Sequence, residues 1–108
     1  PLVVRYIRRV AERAATAAAP RRPSRVTFRS VRASDTEAYG VRIVRSGARD
    51  AFVDLERRAD GVHVLAAQGV TEILLAKDAL GVNADADERD RRITNDVPGS
   101  DVRVRWLP

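Results

Sequence analysis

A chain of 108 residues, with 20 Arg and Lys against 15 Asp and Glu, has room for one domain with one modest core and carries a formal charge of +5. It contains no Cys, which excludes disulfides, thiolate catalysis and Cys-ligated zinc. Only Tyr6, Phe28, Tyr39, Phe52 and Trp106 are aromatic, so the core must be built from Val, Ile, Leu and Ala.

The first element in the chain is a predicted helix over residues 1–19. Val3, Ile7, Val10, Ala14 and Ala17 recur at steps of four and three and fall on one face, while Arg5, Arg8, Arg9 and Arg13 lie mostly elsewhere on the cylinder. A helix of this length is marginal alone in water, so its apolar stripe should dock on something. Pro20 and Pro23 end it, and residues 20–24 are predicted to form an extended Pro/Arg linker.

From residue 25 the period changes to two. Val26 and Phe28, Tyr39 to Ile43, Ala51 to Leu55, Val62 to Ala66, Ile73 and Leu75, and Val102 to Trp106 each alternate with other residues, and the turn signals Ser46-Gly47, Asp60-Gly61, Gln68-Gly69 and Pro98-Gly99 separate most of these runs as hairpin connections would. The pattern predicts a mainly β chain: an N-terminal α-helix, then a β-domain over 25–108 built as a small antiparallel barrel or sandwich of about six strands. The alternative is an α/β fold with helices near 48–60, where Ala48, Phe52, Leu55 and Ala59 share a helical face, and near 71–80. Strand is preferred for 51–57, and a strand followed by a short helical turn at 77–80 for the second segment. Residues 83–92, NADADERDRR, are predicted to be an exposed polar loop, and 95–101 a turn into the last strand.

Charge is unevenly placed along this layout. Residues 1–49 hold twelve Arg against Glu12, Asp35 and Glu37, a net of +9, whereas residues 50–108 have a net of −4. Nineteen Arg against Lys77 alone is what GC-rich coding produces; the functional alternative is selection for bidentate contacts to phosphate or carboxylate. Two partner-binding sets follow. The helix face of Val3, Ile7, Val10 and Ala14 would meet a protein subunit, and Arg5, Arg8, Arg9, Arg13, Arg21, Arg22 and Arg25 would meet an anionic partner. Docking on protein ranks first, because the stripe asks to be buried. Nucleic acid ranks second, because only Tyr6 and Phe28 sit among these Arg and no stacking platform results. An anionic membrane surface ranks last, because the stripe lacks bulky side chains for insertion.

Other constellations are weaker. Asn83, Asp85, Asp87, Glu88 and Asp90 resemble a calcium loop only in their alternation: Glu88 stands where the signature needs Gly, Thr94 stands where it needs Glu, and Arg89, Arg91 and Arg92 intervene. His63 is the one His and is predicted to share a strand face with Leu65 and Ala67, with no nucleophile at a recognisable spacing. Asp54 and Glu56 share a strand face, where Arg42 or Arg45 of a neighbouring strand would oppose them. Arg103 and Arg105 flank Val104 beside Trp106, which either closes the core or joins those Arg in an interface patch. The six Gly are scattered singly, so there is no phosphate-cradling loop. No cofactor, metal or small-molecule substrate is indicated.

The sequence therefore predicts a non-enzymatic structural or interaction protein, a small assembly subunit docking through its basic N-terminal helix. The alternatives are a nucleic-acid-binding module using the Arg-rich half and, last, a small enzyme. In size and layout alone it is similar to the small helix-plus-barrel connector components of virions; no motif carries that likeness. No apolar run approaches a membrane span and no signal-like segment is visible, which predicts a cytoplasmic protein or a part of an assembled particle. The chain has no Met and begins at Pro1, as expected of a product whose initiator Met was removed, or of a cleavage product.

Overall fold

The structure, a computed structural model, describes residues 21–29, 37–47 and 50–108. The predicted helix over 1–19 lies outside the described residues. Among the described residues there are seven strands: β1 (Arg25–Arg29), β2 (Val41–Arg45), β3 (Phe52–Arg58), β4 (Gly61–Gln68), β5 (Val70–Leu75), β6 (Ile93–Asn95) and β7 (Arg103–Trp106). The mainly β expectation holds, and both alternative helices give way to strand, β3 across 52–58 and β5 across 70–75. A 3-10 turn at Ala79–Gly81 follows β5, close to where a helical turn was predicted.

Of the predicted antiparallel barrel or sandwich, the closed barrel and the purely antiparallel order are corrected. The strands form two separate sheets, sheet I in the order β1-β3-β4-β6 and sheet II in the order β2-β5-β7, and neither closes on itself. Each is mixed: β1–β3, β3–β4 and β2–β5 are antiparallel, whereas β4–β6 and β5–β7 are parallel. Among strands consecutive in sequence, only β3 and β4 pair, through the two-residue turn Ala59–Asp60. At Gly69, expected to be a hairpin turn, the chain instead leaves sheet I and enters sheet II. The long polar connection after β5 is what permits the parallel pairs, since a parallel partner must be reached by a crossover.

The alternating apolar residues of both sheets meet in one core. Val26, Val53, Leu55, Val62 and Val64 from sheet I face Val41, Ile73 and Leu75 from sheet II, with Ala79, Leu80 and Val82 closing one end. Burying each large side chain contributes about 1.5–3 kcal/mol. Leu80 is fully buried although its φ of 54° is left-handed, a conformation costing roughly 1–2 kcal/mol for a branched residue. Its carbonyl accepts the Arg57 Nε hydrogen bond at 2.8 Å, which fixes the turn from the sheet I side.

One irregularity sets which side chains face outward. Asp54 pairs with Ala66, but Leu55 pairs with Val64, so Leu65 is an extra residue on β4. Strict alternation would have placed His63 with Leu65 and Ala67. The bulge instead puts His63 opposite Glu56 on the outer face of sheet I, while Ala67 packs on the core.

Candidate functional site

Of the predicted site residues, Val3, Ile7, Val10, Ala14, Arg5, Arg8, Arg9 and Arg13 lie outside the described residues. Arg21, Arg22 and Arg25 are described, and the last two have partners within the chain. The Arg22 Nε stands 3.0 Å from Asp78 Oδ2, an ionic contact without hydrogen-bond alignment, and its NH1 donates to the Glu37 carbonyl at 2.6 Å. Ser24 accepts the Arg57 backbone N–H at 2.7 Å, so residues 22–24 are tied to the β-domain.

Arg25 holds the centre of an ionic network on sheet I. Its Nε and NH2 donate to the two oxygens of Asp54 at 3.1 and 2.9 Å, a bidentate pair. Thr27, opposite Asp54 in register, donates its hydroxyl to Oδ1 at 2.9 Å. Glu56 accepts from Arg58 Nε at 2.6 Å and stands 3.5 Å from Arg25 NH1. The Arg25 hydrogen bond first, then Thr27, holds the Asp54 carboxyl below its ordinary range against the cost of its burial. Arg58 does the same for Glu56. The expected partners of these carboxylates, Arg42 and Arg45, are on β2, which belongs to the other sheet.

The same face carries a cluster that the sequence did not reveal. The His63 ring is 9% exposed, with Nε2 at 2.7 Å from Asp60 Oδ1 and Nδ1 at 2.8 Å from Asp96 Oδ2. A neutral imidazole has one N–H and satisfies one of these carboxylates; the imidazolium satisfies both. Asp60 and then Asp96 accordingly raise the His63 pKa above its usual value, and the His63 contact lowers that of Asp60. Asp60 was legible as half of a turn signal three residues before His63, but nothing local marks Asp96, which arrives through the parallel β4–β6 pair.

The direction of the pH dependence follows. Because the folded-state pKa of His63 is raised, its contribution to stability is complete below the unfolded-state value and is lost as pH rises through the folded-state value. Urea melts at about pH 5.5 and about pH 8.5 should show the wild type less stable at the higher pH. His63→Gln should flatten that difference and cost on the order of 1–3 kcal/mol at the lower pH. A variant with the wild-type pH dependence would refute the assignment.

The outer face of sheet II is organised differently. In register, Leu74 lies between Arg42 and Arg105, and Glu72 between Val44 and Arg103. Glu72 is the one acidic side chain in these rows, 3.4 Å from Arg105 and 3.8 Å from Arg103. Val44 is 41% exposed, the one large apolar side chain so open among the described residues. Beside it, Leu74, Ala76 and Leu107 line a hollow of about 240 Å³ with Arg42 and Glu37 on it. Trp106 takes neither predicted role alone: it packs on the core, but its Nε1 donates 2.8 Å to the Arg91 carbonyl and its ring lies under the Arg91 guanidinium.

In the 83–92 loop, Asn83 Oδ1 accepts the Asp85 N–H and Asp87 Oδ1 accepts those of Arg89 and Asp90. Among the described residues no three His, Asp or Glu are placed to hold a metal ion, and no helix is long and apolar enough to cross a membrane. No protein-family model matches the chain, and neither a curated protein nor a solved structure matches it.

Proposed function

We propose that this chain is a non-enzymatic interaction protein, a small assembly subunit that docks through its basic N-terminal segment and the outer face of sheet II. The observation that supports this most is the contrast between the two outer faces. On sheet I every carboxylate has a cation within the chain: Asp54 and Glu56 have Arg25 and Arg58, and Asp60 and Asp96 have His63. On sheet II Arg103 and Arg105 share Glu72, Arg42 lies on the Leu74 hollow, and Val44 is exposed in the row of Glu72 and Arg103. A cationic surface with an apolar centre suits a partner of opposite charge that also buries a side chain.

The enzyme alternative loses its one candidate base, because both His63 ring nitrogens are already directed at carboxylates. The nucleic-acid alternative keeps Arg21 but has Arg22 and Arg25 engaged by Asp78 and Asp54. Light scattering of the full chain should show an assembly whose mass falls on replacing Val3, Ile7 and Val10 by Ser. A second variant, Arg42→Gln with Arg105→Gln, should reduce it further and weaken its dependence on salt. A wild type that is monomeric at every concentration, with both variants identical to it, would sink the proposal.

A further inference from the structure

At the end of sheet I opposite Gly69, where β3 turns into β4, the surface sinks into a groove of about 180 Å³. Arg21, Arg57, Arg58, Gly81, Asn83 and Asp90 lie along it. Three Arg and one Asp among the lining residues are an unusual concentration of cations for an otherwise interleaved surface. Two of them are also held in place. Arg57 donates Nε to the Leu80 carbonyl at 2.8 Å, and Arg58 donates Nε to Glu56 at 2.6 Å. Each is thus anchored by its inner nitrogen, and among the described residues neither terminal NH1 nor NH2 group has a hydrogen-bond partner. Arg21 has no hydrogen bond or ion pair among the described residues and supplies a third cation.

An anchored guanidinium loses less freedom when it binds than an unrestrained one, and its planar pair of N–H groups matches two oxygens of an oxyanion. The local charge narrows the ligand further. Glu56 is shared between Arg58 and Arg25, so the lining carries three cations against Asp90 and a part of the Glu56 charge, an excess of between about one and two charges. A dianion balances the upper value, whereas a phosphodiester brings one charge. Water occupies about 30 Å³ in the liquid, so the groove has room for several waters and admits a phosphate group together with part of its hydration. We propose that this groove is a binding site for a terminal phosphate dianion, free or as a monoester, gripped by Arg57 and Arg58 and closed over by Arg21. The site is separate from the outer face of sheet II, and its test is independent of the assembly test.

Calorimetric titration of inorganic phosphate into the full chain at low ionic strength should show saturable one-to-one binding with a Kd on the order of 1 mM. Arg57→Gln should weaken it roughly tenfold. Because Arg57 also fixes the Leu80 turn, Arg21→Gln provides the variant with no role in the described fold, and it too should weaken binding severalfold. Asp90→Asn removes the opposing charge and should tighten binding about threefold or more. Affinity for a phosphate monoester should fall below about pH 6 as it loses its second charge, and that for inorganic phosphate should begin to fall at a higher pH. The source of the phosphate is separated by two single-stranded oligonucleotides differing only at the 5′ end. Tighter binding of the 5′-phosphorylated one, lost in Arg21→Gln, supports the proposal. Equal binding of both, or phosphate binding that fails to saturate or is unchanged in Arg21→Gln and Arg57→Gln, would overturn it.

Discussion

Gly61→Ala should cost about 3–5 kcal/mol, a large share of what a domain of this size has to lose. Gly61 begins β4 with a φ of +124°, a backbone region closed to side chains, and a Cβ built on it would run into the backbone carbonyl of Arg92. That carbonyl is not a bystander. It accepts the Val62 N–H at 2.8 Å, the first hydrogen bond of the parallel β4–β6 pair. Making room for a methyl group therefore means displacing β6, and with it Asp96, which follows β6 and holds His63 Nδ1. The turn, the pairing and the ionic cluster should fail together. Gly99→Ala supplies the control: its φ of +70° is also left-handed, but nothing lies within 4 Å of the added carbon, so it should cost only about 1 kcal/mol. Urea melts of the two variants decide it. Equal losses would show that backbone conformation alone, without the approach of Arg92, governs both positions.

This close approach illustrates what period and turn chemistry reveal and what they leave hidden. Six of the seven strands follow from alternation, because a half-buried strand writes its burial pattern into adjacent residues. β6 does not, since Ile93–Asn95 is too short to show a period and its neighbours are polar. Pairing is less legible still. Gly69 looks like a hairpin glycine, and only its place between two sheets shows that it carries the chain across rather than back. The Leu65 bulge shifts the register by one residue, which is enough to move His63 from a face with Leu65 and Ala67 to the face of Glu56. The proposed phosphate groove is mixed in the same way. Arg21 stood out as a basic residue after the predicted helix, but Arg57 and Arg58 looked like the ordinary polar end of a strand. They matter only because the 79–81 turn and the 83–90 loop fold back beside them. Among the described residues the charge contrast between the chain's halves is partly paired off in space: Arg25 of the basic half meets Asp54 and Glu56 of the acidic half, and Arg22 meets Asp78.

Arg91 is expected to be the largest single side-chain contributor outside the core, and its replacement by Lys should not restore what replacement by Met removes. The guanidinium donates to four backbone carbonyls of the polar connection: NH1 to Lys77 at 2.9 Å, NH2 to Asn83 at 3.1 Å and Ala84 at 3.2 Å, and Nε to Ala86 at 3.3 Å. Its other face rests on Trp106 with 4.8 Å to the ring centroid, and the Trp106 indole donates back to the Arg91 carbonyl. The alternating Asn and Asp of this loop resemble a calcium loop only in their spacing, and Arg89, Arg91 and Arg92 intervene. The structure supplies the cation from the chain itself, and presents it with backbone carbonyls rather than the acidic side chains. Only a planar fork reaches oxygens in this many directions; an ammonium is a point charge with three donors. Hydrogen bonds from charged donors contribute about 1.5–3 kcal/mol each, but water can replace Arg91 at the exposed carbonyls, so Arg91→Met should cost about 2–4 kcal/mol in total. Arg91→Lys should recover less than half of this. Both variants should expose amides at residues 83–86 to hydrogen exchange and shift Trp106 fluorescence to the red, and added calcium should reverse neither. A Lys variant as stable as the wild type, with Trp106 emission unmoved, would show that positive charge alone orders the loop and that the four-carbonyl fork contributes nothing.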